Sequence, residues 1–311
     1  MLNLNSRLAD LEQNGTPIKV AFIGAGRFST MMMAQISRMR GVTVALIADL
    51  SRERVNQAVL RSDLDARPKV YTDSLESADQ AIASGRLVIT QDAMLAVRSS
   101  VDVVVEATGL VEPGVLHAYN AIVNGKHVVM VNVETDVLVG PYLKNLADRI
   151  GVVYSLAYGD QPALIKELYD WAAGLGFQII AAGKGTKYSP NLRKSTPDTV
   201  WELYGHTEDE VLRGDLNPKM YNSFLDGTKS AIEMVAVSNM TGLLPDVPGM
   251  HFPPVSIPDI PSVLCPKTDG GILSHTGVVE AISSTYYLSL IHISEPTRPR
   301  LISYAVFCLK K

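Results

Sequence analysis

The stretch IKVAFIGAGRFSTMMMAQISRMRGVTVALIADL, residues 18–50, limits the chain more than any other: an apolar strand, a glycine turn, a helix and a second apolar strand ending in an acid. This βαβ order is what a dinucleotide fingerprint requires. Gly24 permits the tight turn, and Gly26 lets the backbone approach a pyrophosphate seated on the positive end of the next helix. Arg27 and Phe28 open that helix, and Ser29 stands where the fingerprint usually has a third glycine. Asp49 falls about 25 residues after Gly24, near the offset of the acid that bonds the adenosine ribose. An acid there favours NAD, whereas Arg27, Arg52 and Arg54 offer guanidinium forks to a 2′-phosphate. NAD and NADP both stay open.

Apolar strands and amphipathic stretches keep alternating through RLVITQD, VDVVVEATG, KHVVMVNV, VVYSLAYGD and FQIIAAGKG. Strands separated by helices of about ten residues or more predict a parallel sheet covered on both faces, with ligands gathering at the strands' carboxyl ends. That rule picks out Glu106, Thr108, Gly109, Asn132, Glu134, Asp160 and Lys184. The expected fold class is α/β: a Rossmann-type doubly wound parallel sheet over residues 18–155, followed by a smaller α+β catalytic domain over 156–287. Leu4, Leu8 and Leu11 at helical spacing predict a helical arm within residues 1–17. The last stretch, 288–311, begins LSLIHISEPTRPR, which resembles the conceptual translation of an adapter used in preparing DNA sequencing libraries. It is expected to be a non-native tail outside the fold, on a truncated copy of a longer chain, so that His292 and Cys308 carry no function.

Composition narrows the partners. The net charge is −4 and no basic run is present, which argues against nucleic acid. Cys265 and Cys308 cannot build a disulfide framework or a cysteine zinc site, which suits the cytoplasm. The start lacks a basic region followed by an apolar core, and no apolar segment approaches the ~20 residues that cross a bilayer, so no membrane partner is expected. Homo-oligomer formation stays open.

The second half holds the chemistry-bearing side chains. NSFLDGTKSAIEM, residues 222–234, reads as one helix with Asp226, Lys229, Ser230 and Glu233 on a single stripe. On the residues alone that stripe is a solvated face with a Lys229–Glu233 ion pair. Lys184, Lys187, Arg193, Lys194 and Lys219 supply cations for a phosphate or carboxylate, so a small anionic substrate is expected, with Arg193 and Lys194 as candidate contacts beside Glu134 and Asp160. Asn217-Pro218 reads as a helix cap followed by proline at the first helical position. Glu134, Asp136 and Asp160 leave a divalent Mg²⁺ or Mn²⁺ open without a diagnostic spacing. His206, His251 and His275 lack the pairing of a zinc site. Prolines over 243–266 predict an irregular covering strip.

The phrases VVVEATG, GKHVVMVN and LADRIGV resemble the nucleotide domain of homoserine dehydrogenases over about residues 18–150. GDQPALIKELYDWA, AGKGTKY, STPDTVW and NPKMYNSFLDGTKSAIEM resemble, over about 155–287, the homoserine-dehydrogenase-like proteins that include a 1-deoxy-D-xylulose 5-phosphate reductoisomerase-like enzyme and usually end in a SAF domain. No SAF-like segment is read here. The resemblance implies an Asp and a following Lys that face substrate, here Asp226 and Lys229, with the lysine moving a hydroxyl proton during hydride transfer. Such a lysine needs a lowered pKa, for which Lys184 is the candidate cationic neighbour. Glu233 is expected to be structural. Where homoserine dehydrogenases carry T-A-N-K, this chain has Val131-Asn132-Val133-Glu134, which weakens simple homoserine oxidation. The expectation is an NAD(P)-dependent oxidoreductase acting on a small anionic hydroxy or carbonyl compound. The alternative is a dinucleotide-binding regulatory protein without turnover.

Overall fold

A computed structural model describes residues 3–186, 188–214, 216–284 and 305–309. The chain divides into two compact units, Met1–Ala157 and Tyr158–Lys311. In the first unit, strands β1 (Ile18–Ile23), β2 (Val42–Ala48), β3 (Lys69–Tyr71), β4 (Leu87–Thr90), β5 (Val103–Glu106), β6 (His127–Met130) and β7 (Tyr154–Leu156) form one sheet in the order β3-β4-β2-β1-β5-β6-β7. Every pairing is parallel. Helix α1 (Leu4–Gln13) precedes β1, and α2 (Arg27–Ile36), α3 (Arg52–Arg61), α4 (Leu75–Ala83), α5 (Ala93–Arg98), α6 (Val111–Val123) and α7 (Val133–Ile150) make the connections. This is the doubly wound Rossmann-type α/β fold, with its strand order reversing at β1.

The strands read as apolar runs because parallel strands are buried on both faces. Phe22, Ile47, Leu87 and Val105 meet Met33 of α2 and Val55 of α3 in one core cluster. The amino-terminal helix α1 buries Leu8, and its carbonyl leaves no room for a side chain at Gly41.

The second unit is built on β8 (Ile179–Thr186), flanked by β11 (Val278–Ser284), with β9 (Leu244–Pro245) and β10 (Pro254–Val255) pairing parallel to β11. Its helices are α8 (Gln161–Gly174), α9 (Val200–Tyr204), α10 (Glu208–Gly214), α11 (Pro218–Leu225), α12 (Thr228–Thr241) and α13 (Ile260–Val263). Ile165 and Ala172 of α8 and Met234 and Val237 of α12 pack with Ile179 and Ala182, while Val255, Ile260, Leu264 and Leu273 join a second cluster with Ala181 and Ile282. The last strand in the sequence alternation, FQIIAAGKG, therefore belongs to this second sheet and not to the parallel one.

Two other expectations change. The helix read over residues 222–234 is two helices, broken where Asp226 ends α11 and Gly227 takes φ +88°. A left-handed residue cannot continue a right-handed helix. In the segment expected to lie outside the fold, residues 305–309 form β12 (Ala305–Leu309), antiparallel to β8. AVFCL is an apolar, strand-prone run, and the otherwise open edge of β8 offers it a row of hydrogen-bonding groups. Residues 288–304, with His292, lie outside the described residues, as does Lys187.

Candidate active site

The first unit presents a glycine turn at the carboxyl ends of β1, β2 and β5. Gly24 takes φ +96°, and a Cβ there would stand 2.7 Å from the Ala107 carbonyl oxygen, so only glycine fits. Gly26 starts α2 without a side-chain cap and has open space where a Cβ would be. An uncapped helix start beside such an opening is the kind of place a pyrophosphate fills. Arg27 and Phe28 follow in the first turn, both exposed, and Ser29 is fully buried, which is why a small residue stands there. The residues present thus fit a dinucleotide.

Asp49 braces this turn. Its Oδ2 accepts the Ala25 N–H and its Oδ1 the Ser51 N–H, each at 2.8 Å, with the Arg54 guanidinium 3.5 Å away. The carboxylate is 6% exposed, so little of it is open to a ribose. At the end of β5, fully buried Glu106 accepts the Thr108 hydroxyl at 2.5 Å and faces His117 Nδ1 at 3.3 Å, while its Oε2 has no partner. Gly109 follows in the left-handed region at φ +68°.

Asn132 departs from its expected role. It caps α7, accepting the Thr135 N–H at 3.2 Å and donating to the Leu110 carbonyl at 2.8 Å, which spends both ends of its amide inside the fold. Glu134 sits half-buried in the first turn of α7, where the helix dipole favours an acid. Asp136 is buried and accepts the Tyr154 hydroxyl at 2.8 Å. Burial pushes the Asp136 carboxyl above its ordinary range, against that hydrogen bond, and burial beside Asp136 pushes the Tyr154 phenol far up.

In the second unit, a carboxylate between two ammonium groups forms the chemical centre. Glu233 of α12 is 1% exposed and binds the Lys184 ammonium of β8 through Oε2. Lys229, one turn earlier on α12, brings its Nζ to 3.7 Å from Oε1. Gln161, at the start of α8, completes the ring when its amide nitrogen is turned inward, donating at 2.9 and 3.3 Å to the two Glu233 oxygens. Asp160 caps α8 by accepting the Gln161 N–H at 3.0 Å, and its charge is felt at Glu233. Burial pushes the Glu233 carboxyl above its ordinary range, outweighing both lysines, which pull it down.

This geometry revises the expected roles. Lys184 does not stand beside Lys229 as a bare cation, because Glu233 lies between them and binds both. Glu233, expected to be structural, is the hub. Its i,i+4 spacing from Lys229 was visible in the sequence, but its burial was not, and Gln161 carried no signal at all. Asp226 ends α11, with Oδ1 accepting the Thr228 N–H at 2.8 Å and Oδ2 the Asn222 amide at 3.0 Å. It holds the turn before Lys229. Arg193 and Lys194 stand exposed on the 3₁₀ turn Pro190–Lys194, and no described hydrogen bond or ion pair joins them to the Glu233 cluster. Among the described residues no group of three or more His, Cys, Asp or Glu could hold a metal ion, and no helix is long and apolar enough to cross a membrane.

The stretch that holds this centre is similar to an oxidoreductase catalytic domain. Residues 159–299 match the family model described as oxidoreductase DRL, catalytic domain, which supports that class. No curated protein matches the sequence. Among solved structures, the chain is similar to 1-deoxy-D-xylulose 5-phosphate reductoisomerase from Zymomonas mobilis in complex with NADPH, at 14% identity and TM-score 0.44, covering 72% of this chain and 58% of that one. It is similar to homoserine dehydrogenase from S. aureus at 16% identity and TM-score 0.40, covering 72% and 50%, and to scyllo-inositol dehydrogenase from Lactobacillus casei at 13% and 0.36, covering 55% and 46%. The chain spans about half the length of the solved proteins it resembles.

Proposed function

We propose that the protein is an NAD(P)-dependent oxidoreductase that moves a hydride between the nicotinamide and a small anionic hydroxy or carbonyl compound, with Lys229 carrying the proton. The observation that carries this reading is the Lys184–Glu233–Lys229 centre, which lies inside the stretch similar to an oxidoreductase catalytic domain. The nicotinamide supplies the hydride when bound. Reduction of a carbonyl also requires one proton on oxygen, and the Lys229 ammonium gives it. Glu233, ion-paired with both lysines, holds the Lys229 side chain in place. Lys184 keeps the buried carboxylate compensated when it is charged.

Asp49 turned inward and Arg54 at its edge favour a 2′-phosphate, hence NADP over NAD. The valine after Asn132 speaks against homoserine oxidation and leaves a reductoisomerase-like reduction of a phosphorylated sugar beside oxidation of a polyol or hydroxy acid. The test is an assay of NADPH and NADH consumption across phosphorylated ketoses, aspartate semialdehyde and other anionic carbonyl compounds. Oxidation of NADPH with a phosphorylated ketose is expected. Activity with aspartate semialdehyde alone would reverse the order of substrates, and coenzyme binding without any turnover would leave a regulatory binding protein.

A further inference from the structure

Gln161 brings a neutral side chain into the ionic centre, from a helix that carries neither lysine. Asp160 caps α8 by accepting the Gln161 N–H at 3.0 Å, and Pro162 stands in the first turn, so the backbone beneath the side chain is fixed. One turn on, fully buried Ile165 packs with Ala182 of β8 and Met234 of α12, which lie beside Lys184 and Glu233 in the chain. That apolar contact sets how close α8 stands to the carboxylate.

The orientation of the amide follows from its surroundings. With its oxygen toward Glu233 it would meet only acceptors there, and its nitrogen only donors. Turned the other way, the nitrogen donates to Oε1 at 2.9 Å and to Oε2 at 3.3 Å, and both ends are satisfied. A carboxylate has two oxygens and about four lone-pair directions. Lys184 takes one on Oε2 and Gln161 one on each oxygen, while Lys229 stands 3.7 Å from Oε1, an ion pair beyond hydrogen-bond reach. The last torsion of a glutamate side chain is broad, so Glu233 does not orient its own carboxylate. Lys184 holds one oxygen and leaves the other to swing. A donor that reaches both oxygens fixes the plane.

We propose that Gln161 is a positioning residue: its amide bridges the two Glu233 oxygens, fixes the carboxylate plane, and so lets Glu233 hold the Lys229 ammonium by charge without clamping it in a hydrogen bond. This rests on the reading of Lys229 as proton carrier. Lys229 keeps 19% of its side chain exposed against 7% for Lys184, so it is the ammonium a substrate can reach. To give a proton away, it has to turn one N–H from its counter-ion toward the substrate oxygen. With Oε1 bonded to the amide, that turn breaks no hydrogen bond between Lys229 and Glu233. Without the amide, Oε1 has a lone pair to spare for the ammonium, and the two close.

The test uses the full chain as wild type, Gln161→Met, Lys229→Ala and the double variant. Methionine keeps the length of the side chain and removes its donors. NADPH oxidation with a phosphorylated ketose is measured beside acetylation of Lys229 by limiting acetic anhydride, read by mass spectrometry. In Gln161→Met, kcat should fall about tenfold with KM changed less, and acetylation of Lys229 should slow roughly threefold to tenfold as the new hydrogen bond holds the amine. In the Lys229→Ala background the same substitution should cost no further kcat. An equal loss in both backgrounds, or an unchanged kcat in Gln161→Met, overturns the positioning role. Where Gln161→Met does not fold, wild-type NMR of the Gln161 side-chain amide decides. Slow proton exchange with coupling to the Glu233 carboxyl carbon supports the bridge, and exchange at the rate of a solvated amide overturns it. An unchanged kcat in Lys229→Ala overturns the proton-carrier reading instead, while acetylation and NMR still decide whether Gln161 holds the carboxylate off the amine.

Discussion

Two lysines depend on Glu233, and one of them has nowhere else to go. Lys184 is 7% exposed, so Glu233→Gln leaves a buried ammonium without its counter-ion, which should cost about 3–5 kcal/mol in denaturant unfolding. Pairing it with Lys184→Met should recover part of that loss, since an apolar pair needs no compensation. Asp136 makes a separate pH argument. Its folded carboxyl is raised, so the fold binds its proton more tightly than the unfolded chain does, and its contribution to stability falls as pH rises from the ordinary aspartate range through the folded value. Asp136→Asn should flatten that part of a stability–pH curve measured by chemical unfolding. Asp246 has the opposite sign: it is lowered, so its contribution is present above the ordinary range and is lost as pH falls through the folded value. At this scale the sequence was legible where the logic is local. Asn217 accepts the Lys219 and Met220 N–H groups at 3.0 and 3.4 Å with Pro218 next, as the Asn-Pro phrase predicts. His251 and Glu280 are 29 residues apart, and no spacing rule joins them.

Gly227 and Gly183 decide what the elements can be. If residues 222–234 were one helix, Gly227→Ala would stabilise it by roughly 1 kcal/mol, because glycine is a poor interior residue. With φ +88° and Tyr188 close by, the same change should destabilise by about 1–2 kcal/mol, so the sign of the shift in a thermal melt separates the two. Gly183 has no such latitude. A Cβ there would stand 1.6 Å from the Glu280 carbonyl oxygen, so Gly183→Ala should cost about 3 kcal/mol or more and separate β8 from β11, read as lost amide protection along both strands. The parallel sheet was readable because buried strands announce themselves as apolar runs between helices. The second sheet was not, because β9 and β10 are two residues each and their pairing with β11 is set by the proline-rich strip, which carries no period.

At the scale of the whole chain, Met1–Ala157 holds the glycine turn and the unit from Tyr158 holds the ionic centre. The first was legible as a fingerprint because phosphate binding by backbone needs glycines at fixed offsets. The second became legible as chemistry only when folding brought Lys184, Gln161, Lys229 and Glu233 together from three elements. The measurement that tests this most directly is kcat for coenzyme oxidation in Lys229→Ala against wild type, at saturating coenzyme, with the coenzyme Kd taken by calorimetry on the same preparations. Kd should stay within about twofold while kcat falls by roughly 10²–10⁴. An unchanged kcat in Lys229→Ala would contradict it.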